Sequence, residues 1–364
     1  MRWSPQQDDA LAAVAQWLDR RDAPVFRLFG YAGTGKTTLA RHIAEGIDGT
    51  VAFAAYTGKA AHVLREKGCE GAGTIHSLIY RPRVGEDDEQ PVFALNHDSA
   101  AAEAELIIID ECSMVDEELG RDLLSFGTPV LVLGDPAQLP PVKGGGFFTE
   151  AEPDRMLTEV HRQAQDNPII RLSMAVRAGE AIDYGDYGES RVIPRRQIDA
   201  ERILAADQVL VGTNKTRRAY NQRIRELKGL LSPMPAVGDK LVCLRNDKQK
   251  GLLNGGTWTV TRLGAPKKSL LRVDIVPEDE PGAKVVKASI HPAFFEDGGE
   301  TLSYPQRRSS DEFDYGYALT VHKSQGSQWD DIVLFDESVA FREHRDRWLY
   351  TGVTRAAERI TIVR

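Results

Sequence analysis

Residues 30–37 read Gly-Tyr-Ala-Gly-Thr-Gly-Lys-Thr and match the pattern G-x-x-x-x-G-K-[ST] at every fixed position. The apolar run 25–29 before this stretch predicts a buried strand, and residues 38–45 after it predict a helix. A strand, a glycine-rich turn and a helix in this order form a phosphate-binding loop, because backbone N–H groups at the helix start face the anion. The amino-terminal part of the chain is therefore expected to have an α/β fold.

The side chains of this loop suit a nucleoside triphosphate. Gly30, Gly33 and Gly35 let the backbone approach phosphate oxygens closely. Lys36 supplies a positive charge for the β- and γ-phosphates, and the Thr37 hydroxyl is a ligand for Mg²⁺. The alternative, a glycine turn that binds nothing, does not explain the adjacent lysine and threonine.

The length and charge limit the number of domains and the partners. The chain has 364 residues, which is enough for two or three domains of roughly 100–200 residues each. Its net charge of −8 argues weakly against a nucleic-acid partner, although a local basic groove decides this more than the total charge does. We interpret the acidic runs 86–89 and 278–280 as solvated turns.

Several features predict a cytoplasmic protein. The first residues contain no apolar stretch that would act as a signal peptide, and no segment approaches the ~20 apolar residues of a membrane helix. Cys69, Cys112 and Cys243 are far apart and odd in number. This usage favours a reducing compartment and argues against a disulfide framework or a cysteine-paired zinc site.

Two sets of apolar runs predict two parallel sheets. Such runs, when they alternate with helical segments, are typical of parallel sheets that helices cover on both faces. The first set comprises residues 25–29, 51–55, 106–109 and 130–133, and the second comprises 209–212, 332–335 and 360–363. Only the first set has a phosphate loop, which suggests that a nucleotide lies between the two units.

Two segments interrupt this alternation. Residues 231–312 are rich in Pro and Gly and contain short β runs at 240–244, 258–263, 270–276 and 284–290. We therefore expect a small β-barrel-like insert there. Residues 81–104 read as a β-hairpin that protrudes from the first unit.

Polar residues follow two strands of the first unit. Asp110 and Glu111 come directly after an apolar run, so Asp110 is expected to hold Mg²⁺ through water and Glu111 to activate the water that attacks a γ-phosphate. Gln138 follows the run 130–133, and its amide suits contact with both the γ-phosphate and a water. A strand end with acidic turn residues is the alternative for the two carboxylates.

Arg162 and Arg355 are candidates for arginine fingers, which neutralise charge on a transferred phosphoryl group from across a cleft. A surface salt bridge is the alternative for any single arginine. A set of basic residues either lines a nucleic-acid groove or forms a solvated helix face: Lys215, Arg217, Arg218, Arg223, Arg225 and Lys228.

Together these motifs resemble the superfamily 1 DNA helicases of the 5′→3′ class, in particular the RecD-like and phage Dda-like enzymes. The family's ordered motifs match as follows: the Q motif at 4–10, I at 30–37, Ia at 56–61, Ib at 73–77, II at 110–114, III at 134–141, IV around Arg162, V at 318–326 and VI at 350–356. The strings Thr-Val-His-Lys-Ser-Gln-Gly and Gly-Asp-Pro-Ala-Gln-Leu-Pro-Pro are the most specific to the family.

The resemblance implies an α/β fold with tandem RecA-like P-loop domains. Residues 1–165 would form the first domain, and residues 166–230 with 313–364 would form the second. The hairpin at 81–104 would be the pin that splits the duplex, with Phe93 as its base-stacking wedge or, equally, as an aromatic residue of the hairpin core. Residues 231–312 would be an SH3-like accessory domain.

The resemblance also implies where the ligands lie. ATP and Mg²⁺ would bind between the domains, with Thr37 and Asp110 at the metal. The catalytic residues would be Lys36, Glu111, Gln138, Arg162 and Arg355. The other nucleotide contacts would be Gln7, Gly30, Gly33, Thr34, Gly35, Thr38, Gln325 and Gly326. The contacts to single-stranded DNA would be Thr57, Lys59, Thr74, His76, Phe93, Thr320, His322 and Lys323.

The implied function is an ATP-dependent 5′→3′ translocase and helicase that acts on single-stranded DNA and on its junctions with duplex. It would work as a monomer in the cytoplasm of a bacterium or of a phage host. Its process would be DNA repair, recombination or replication, and its partner would be a protein of that process. Two alternatives keep the same fold, namely a helicase that acts on RNA and a DNA-stimulated ATPase that binds or remodels without unwinding. Glu111, Gln138 and the two arginines disfavour a small-molecule P-loop kinase.

Overall fold

The computed structural model describes residues 3–83, 92–141, 146–159, 167–247, 249–280 and 282–364. The strands of these residues form three sheets of five or six strands and one two-stranded hairpin. Within the same ranges, no helix combines the length and the apolar character that a membrane-spanning helix needs.

The amino-terminal unit contains the phosphate loop and the first sheet. Its strands are β1 (Val25–Gly30), β2 (Val51–Ala55), β3 (Gly73–Thr74), β4 (Tyr80–Arg83), β5 (Val92–Leu95), β6 (Leu106–Asp110), β7 (Val130–Gly134) and β8 (Arg155–Leu157). Its helices are α1 (Pro5–Arg20), α2 (Lys36–Glu45), α3 (Gly58–Glu66), α4 (Ile75–Ile79), α5 (Ala100–Glu103) and α6 (Glu117–Leu124). A 3₁₀ turn, Cys112–Met114, follows β6.

The first sheet has the order β3-β2-β6-β7-β1-β8, and every pair in it is parallel. Its two faces bury different side chains of the same strand. Val130 and Val132 of β7 pack on one face, and Leu131 and Leu133 pack on the other. Burial on both faces explains why this strand reads as a continuous apolar run.

A two-stranded hairpin projects from this unit within the segment 81–104. Strands β4 and β5 pair antiparallel, and Pro82 lies opposite Phe93 in the register. The Phe93 side chain is 60% exposed. The structure therefore places this aromatic residue on the hairpin surface and not in a core, whereas residues 84–91 lie outside the described ranges.

The rest of the chain forms two sheets. The strands that come first are β9 (Gly185–Tyr187), β10 (Ser190–Ile193) and β11 (Gln208–Val211), with helices α7 (Pro168–Arg177), α8 (Ala200–Ala205) and α9 (Asn214–Leu227). An antiparallel segment follows with β12 (Lys240–Cys243), β13 (Thr257–Lys267), β14 (Leu270–Pro277), β15 (Val286–Ile290), α10 (Ala293–Glu296), α11 (Tyr304–Arg308) and β16 (Phe313–Tyr315). The chain ends with β17 (Ala318–Thr320), β18 (Trp329–Phe335), α12 (Arg345–Val353) and β19 (Ala356–Val363).

The second large sheet has the order β17-β11-β18-β19-β10-β9 and is parallel except for the edge pair β9–β10. The third sheet, β15-β14-β13-β12-β16, is antiparallel throughout. It has its own core, which includes Cys243, Val260, Ile275 and Phe313. The chain therefore has one antiparallel unit inserted between α9 and β17 of the second parallel unit.

Candidate nucleotide site and nucleic-acid face

The phosphate loop joins the end of β1 to the start of α2. Gly33 and Gly35 have φ values of 78° and 80°, a region that favours glycine. A Cβ atom at Gly30 would lie 2.7 Å from Thr34 Oγ1 and 2.8 Å from Leu157 Cβ. Gly33 and Gly35 are thus required by the backbone conformation, and Gly30 is required by the close approach of Thr34 and of Leu157 in β8.

Lys36 and Thr37 occupy the first turn of α2. Lys36 Nζ donates to the carbonyl oxygens of Gly30 at 2.6 Å and Tyr31 at 3.0 Å, so the lysine folds back over the loop. Thr37 Oγ1 donates to Asp110 Oδ2 at 2.9 Å. The structure therefore brings together the two residues that the sequence assigns to Mg²⁺, and Thr38 follows in the same turn.

Glu111 lies directly after Asp110 in the left-handed conformation, with φ of 53°. Such a conformation is strained for a non-glycine residue and is common at functional sites. Burial raises the pKa of the Glu111 carboxyl, and the positive charge of Arg355 from the second unit opposes this rise. The predicted base and one predicted arginine finger are therefore close enough to influence each other.

Arg355 is buried and is held by its own unit. Its Nε donates to Thr351 O at 3.1 Å and its Nη1 to Ser327 O at 3.3 Å. Across the described ranges, no carboxylate lies within salt-bridge distance of it. The guanidinium is thus positioned by neutral groups, which leaves its charge for an anion. Arg162, the other predicted finger, lies outside the described residues.

Two buried amides lie at the boundary between the units. Gln138 follows β7, and its Oε1 has no hydrogen-bond partner within the described part of the chain. Gln325 Nε2 donates to Leu139 O at 3.0 Å, and its Oε1 is also unpartnered there. Since a buried acceptor without a partner is costly, these oxygens are expected to gain a partner when ligand or water is bound.

Gln7 links α1 to the phosphate loop. Its side chain closes a capping box with Ser4, and its Nε2 donates to Thr34 O at 3.1 Å. The neighbouring Gln6 accepts from the backbone N–H groups of Thr158 at 2.8 Å and Glu159 at 3.0 Å. Gln6 therefore anchors α1 to the segment after β8, a role that the sequence pattern does not reveal.

Contacts across the cleft join the phosphate loop to α12 and α7. The Tyr350 hydroxyl accepts from Ala32 N at 3.1 Å, and the Arg177 guanidinium lies 3.5 Å from the centre of the Tyr31 ring. Leu139 N donates to Thr351 Oγ1 at 2.9 Å. The motif matches include Tyr31, Tyr350 and Thr351 but do not predict these contacts, and Arg177 lies outside every motif.

The predicted nucleic-acid residues of the first unit lie at two helix starts. Thr57 is the N-cap of α3, where its Oγ1 accepts from Ala60 N at 3.1 Å. Thr74 is the N-cap of α4, where its Oγ1 accepts from Ser77 N at 3.1 Å. His76 packs against the Tyr80 ring at 5.6 Å, and burial lowers its pKa.

The predicted residues of the second unit are Thr320, the last residue of β17, and His322 and Lys323 just after it. Thr320 Oγ1 accepts from Lys323 N at 3.2 Å. Burial, with a contribution from His344, lowers the pKa of His322. Burial, with a contribution from Arg217, lowers the pKa of Lys323 to about 8.

Gly326 brings these two groups of residues together. Its φ is 78°, and a Cβ atom there would lie 2.8 Å from Ala60 Cβ and 3.0 Å from Thr57 Oγ1. The turn after β17 therefore lies directly against the start of α3. This contact forms one continuous face from both units.

Two family models and several curated helicases match this chain. A model described as an AAA domain matches residues 2–193, which is 192 of the 364 residues, and one described as a UvrD-like helicase C-terminal domain matches residues 315–363. The chain is 30% identical over 361 residues to the ATP-dependent RecD2 DNA helicase of Deinococcus radiodurans. It is 34% identical over 166 residues to the ATP-dependent DNA helicase dda of Enterobacteria phage T4. The chain belongs to the RecD-like and Dda-like helicases of superfamily 1B.

The chain spans less than half the length of these two helicases. The match to RecD2 covers 91% of this chain and 46% of that protein, and the match to dda covers 42% of this chain and 37% of that protein.

Solved structures of Pif1 helicases share the fold. The structure from Bacteroides in complex with ADP-AlF3 and ssDNA has a TM-score of 0.58 at 18% identity, covering 99% of this chain and 92% of that chain. The structure from Candida albicans has a TM-score of 0.58 at 19% identity, covering 100% and 94%. The chain thus has a Pif1-like helicase fold, an α/β fold with parallel sheets at its core, into which the predicted tandem RecA-like arrangement fits.

One surface of the chain has contacts that the sequence does not reveal. The acidic run 278–280 is an exposed bend, as the sequence predicts, and each of its side chains also lies beside a basic side chain. Glu278 pairs with Lys240 at 2.7 Å, Asp279 pairs with Lys59, and Glu280 pairs with His62 at 3.2 Å. The turn therefore attaches the antiparallel unit to α3, and Lys59 already has a carboxylate partner.

Two of the basic residues at 215–228 fit neither alternative. Arg217 donates to Asp314 at 2.6 Å, and Arg225 forms two bonds to the buried Asp239. These two arginines hold the antiparallel unit to α9 and line no groove. The remaining members are exposed, as a solvated helix face predicts: Lys215, Arg218, Arg223 and Lys228.

Proposed function

We propose that this protein hydrolyses ATP to move 5′→3′ along single-stranded DNA and to separate duplex. The observation that carries the proposal is a buried guanidinium, Arg355 of the second unit, which has no ion-pair partner among the described residues and whose charge acts on Glu111 of the first unit. The base lies beside the phosphate loop of the first unit, whereas the arginine comes from the second. Hydrolysis would then depend on how closely the two units approach.

The residues of the cleft suit ATP and Mg²⁺. Thr37 and Asp110 offer a hydroxyl and a carboxylate oxygen within 2.9 Å of each other. The described residues contain no cluster of three or more His, Cys, Asp or Glu side chains that could hold a metal. Thr37 and Asp110 would hold Mg²⁺ together with water and phosphate oxygens, and the ion would neutralise phosphate charge.

The roles of the side chains follow from their positions. Lys36 leaves the Gly30 and Tyr31 carbonyls to meet the phosphates, and Glu111 takes the proton of the attacking water. Arg355 neutralises charge on the γ-phosphate, as does Arg162. Gln138 reports the occupied state by donating its amide N–H to the γ-phosphate while its unpartnered Oε1 accepts from water, and the unpartnered Oε1 of Gln325 also accepts from water.

Movement of DNA arises from the face shared by the two units. Thr57 and Thr74 contact the DNA backbone from the first unit, and Thr320, His322 and Lys323 contact it from the second. Closure of the cleft moves the DNA contacts of one unit relative to those of the other, and opening of the cleft reverses this movement. Such contacts to phosphate and sugar do not distinguish one base sequence from another.

We infer roles for the two accessory elements as well. The hairpin of β4 and β5 is the pin that separates the strands, and the exposed Phe93 stacks on a base at the junction. The antiparallel unit, which the sequence predicts at 231–312 and which in the structure continues through β16 (Phe313–Tyr315), is an SH3-like domain inserted in the second RecA-like domain, predicted at 166–230 and 313–364. The protein works as a monomer in the cytoplasm.

The first experiment measures ATP hydrolysis with and without single-stranded DNA, at low and moderate salt. DNA should stimulate turnover strongly and in a salt-sensitive way, and Lys36→Ala should abolish it. Duplexes with a 5′ or a 3′ tail then test polarity, since only the 5′ tail should support unwinding. Stimulation by RNA but not by DNA would contradict the DNA assignment, and stimulation without unwinding would favour a remodelling ATPase.

A further inference from the structure

The arginine segment, residues 338–347, comprises a 3₁₀ turn that follows β18 and the first residues of α12. It carries three exposed arginines, namely Arg342, Arg345 and Arg347. Among the described residues, no side chain forms a hydrogen bond or an ion pair with any of the three. The acidic residues of the segment do not neutralise them, since Glu343 lies beside His344 at 3.9 Å and Asp346 has no ion-pair partner in the same ranges. In a chain of net charge −8, three unpaired cations within ten residues form a local surface that suits an anion.

This segment leaves the second parallel sheet at the same edge as the predicted DNA residues. Thr320, which ends β17, lies beside Val211 of β11 in the register of the sheet, and Leu210 of β11 lies beside Leu334 of β18. All three strands are parallel, so their carboxyl ends are neighbours at one edge. The residues that follow β17, including His322, and the arginine segment that follows β18 therefore start from adjacent positions.

Aromatic contacts join the arginine segment to His322. The Phe341 ring lies 5.4 Å from the His322 ring, and it stacks on the buried Trp348 ring at 5.4 Å with an angle of 12°. A Cβ atom at Gly212, just after β11, would lie 3.0 Å from Phe341 Cε2. The charge of His344 contributes to the lowered pKa of His322, so a second residue of the segment is near this histidine. The segment is thus held directly beside a residue that is proposed to contact DNA.

Arg342 interrupts the 3₁₀ turn with φ of 46° and ψ of −110°. This conformation is strained for a residue with a Cβ atom, and such strain is concentrated at functional sites. The change of backbone direction separates Phe341, which packs against Trp348, from Arg342, which is exposed. An exposed cation directly beside a fixed aromatic ring is a combination that proteins use to bind single-stranded nucleic acid.

The predicted DNA residues follow one another from the hairpin to this segment. Thr74 caps α4, which leads directly into β4 of the hairpin, and Thr57 contacts the turn that contains Gly326. Gly326 lies four residues after His322, and His322 contacts Phe341. In this order of contacts, the hairpin is at one end and the arginine segment is at the other. Since the hairpin is proposed to meet the duplex, the opposite end faces the single strand.

We propose that the arginine segment is a further binding site for single-stranded DNA, where Arg342 and Arg345 contact backbone phosphates beyond those at His322 and Lys323. The proposal rests on the DNA-binding function proposed above and extends its face by a defined set of residues. Because the contacts are to phosphate, the site binds any base sequence. The segment therefore lengthens the stretch of single strand that the protein holds.

The test measures the affinity of the full chain for oligothymidylates that increase in length from about 6 to about 16 nucleotides. A short oligonucleotide occupies the face between Thr74 and Lys323, whereas a long one also reaches the arginine segment. Arg342→Gln and Arg345→Gln should each bind the short oligonucleotide like the wild type and the long one about 2- to 5-fold more weakly at low salt. On the long oligonucleotide, each should also reduce the slope of log affinity against log salt by about 0.7, the value for one phosphate contact to a single strand.

Two further variants serve as controls. Arg20→Gln removes the same charge from an exposed arginine that ends α1 shortly before β1 and has no partner within the described ranges, and it should change neither affinity. Arg342→Lys keeps the charge at the strained position and should retain the gain in affinity with length.

The outcomes separate this proposal from the proposed function. Unchanged affinity for the short oligonucleotide shows that a variant is folded. An equal loss at both lengths, or no loss at either, would overturn the proposal, and a larger loss on a blunt duplex than on the long single strand would contradict the choice of partner. Failure of the wild type to bind single-stranded DNA of any length would instead overturn the proposed function.

Discussion

Lys59, at the start of α3, is ion-paired with Asp279, which follows β14 in the antiparallel unit. Lys59 is one of the residues proposed to bind DNA phosphate, so a carboxylate occupies the position of its ligand. Burial lowers the pKa of Lys59, and the carboxylates of Glu66 and Glu280 oppose this effect. We therefore expect the turn that contains Asp279 to compete with DNA for this lysine.

Asp279→Asn is expected to tighten the binding of single-stranded DNA by about 2- to 10-fold at low salt, because the released lysine gains a phosphate contact and a nearby negative charge is lost. Fluorescence anisotropy at low and moderate salt measures this effect. The matched control is Asp274→Asn, which removes the same charge from the same unit, where Asp274 pairs with the exposed Arg262 at 2.7 Å. Equal affinities for the wild type and Asp279→Asn would show that the ion pair does not compete with DNA.

Lys323 should make DNA binding sensitive to pH near neutrality. Because the pKa of Lys323 is lowered to about 8, the side chain is charged below this pH and increasingly neutral above it. A phosphate favours the charged form, so affinity for single-stranded DNA should fall as the pH rises from 7 to 9. Lys323→Arg keeps its charge throughout this range and should flatten the dependence. If both proteins lose affinity in parallel, Lys323 is not the titrating group.

Glu111 should determine the acidic limit of hydrolysis. Burial raises the pKa of its carboxyl, so the ionised form that accepts a proton is lost at a higher pH than for an ordinary glutamate. Single-turnover hydrolysis in the presence of DNA should therefore decline on acidification before surface carboxylates titrate.

Replacement of the base tests the same assignment independently of pH. Glu111→Gln should lower the rate about 10²- to 10⁴-fold while ATP binding and a stable DNA complex persist. Glu105→Gln serves as a control, since Glu105 is exposed and pairs with Arg21. Normal turnover in Glu111→Gln would remove Glu111 from the role of base.

The parallel cores and the phosphate loop could be predicted from sequence because both are local patterns. The strands of the first sheet are short apolar runs. The predicted run 51–55 coincides with β2, and the predicted run 130–133 coincides with all but the last residue of β7. Short edge strands such as β8, with three residues, have no comparable pattern. Their place in the sheet comes from tertiary packing.

Long-range polar pairs could not be predicted. Tyr350 lies 215 residues from Asp135 and 318 from Ala32 in the sequence, and Arg217 lies 97 from Asp314. A charged residue on an amphipathic helix is usually exposed to solvent. The sequence pattern therefore predicts exposure even for an arginine that is buried against a carboxylate distant in the sequence.

The buried pair of Arg225 and Asp239 gives the last prediction. Arg225 is 5% exposed and Asp239 is 0% exposed, and Asp239 also accepts from Ala236 N and the Tyr317 hydroxyl. Arg225→Met should lower the free energy of unfolding by about 3–5 kcal/mol, because it leaves a buried carboxylate without its cation.

Urea denaturation of Arg225→Met and Arg223→Met compares the contribution of a buried ion pair to stability with that of an exposed ion pair on the same helix. Arg223 is exposed and pairs with Glu226 at 3.1 Å, so its replacement should change stability by no more than about 0.5 kcal/mol. Replacing Asp239 by Leu together with Arg225→Met should recover part of the loss, since no buried charge then remains. Equal midpoints for Arg225→Met and Arg223→Met would mean that the buried pair does not stabilise the attachment of the antiparallel unit to α9.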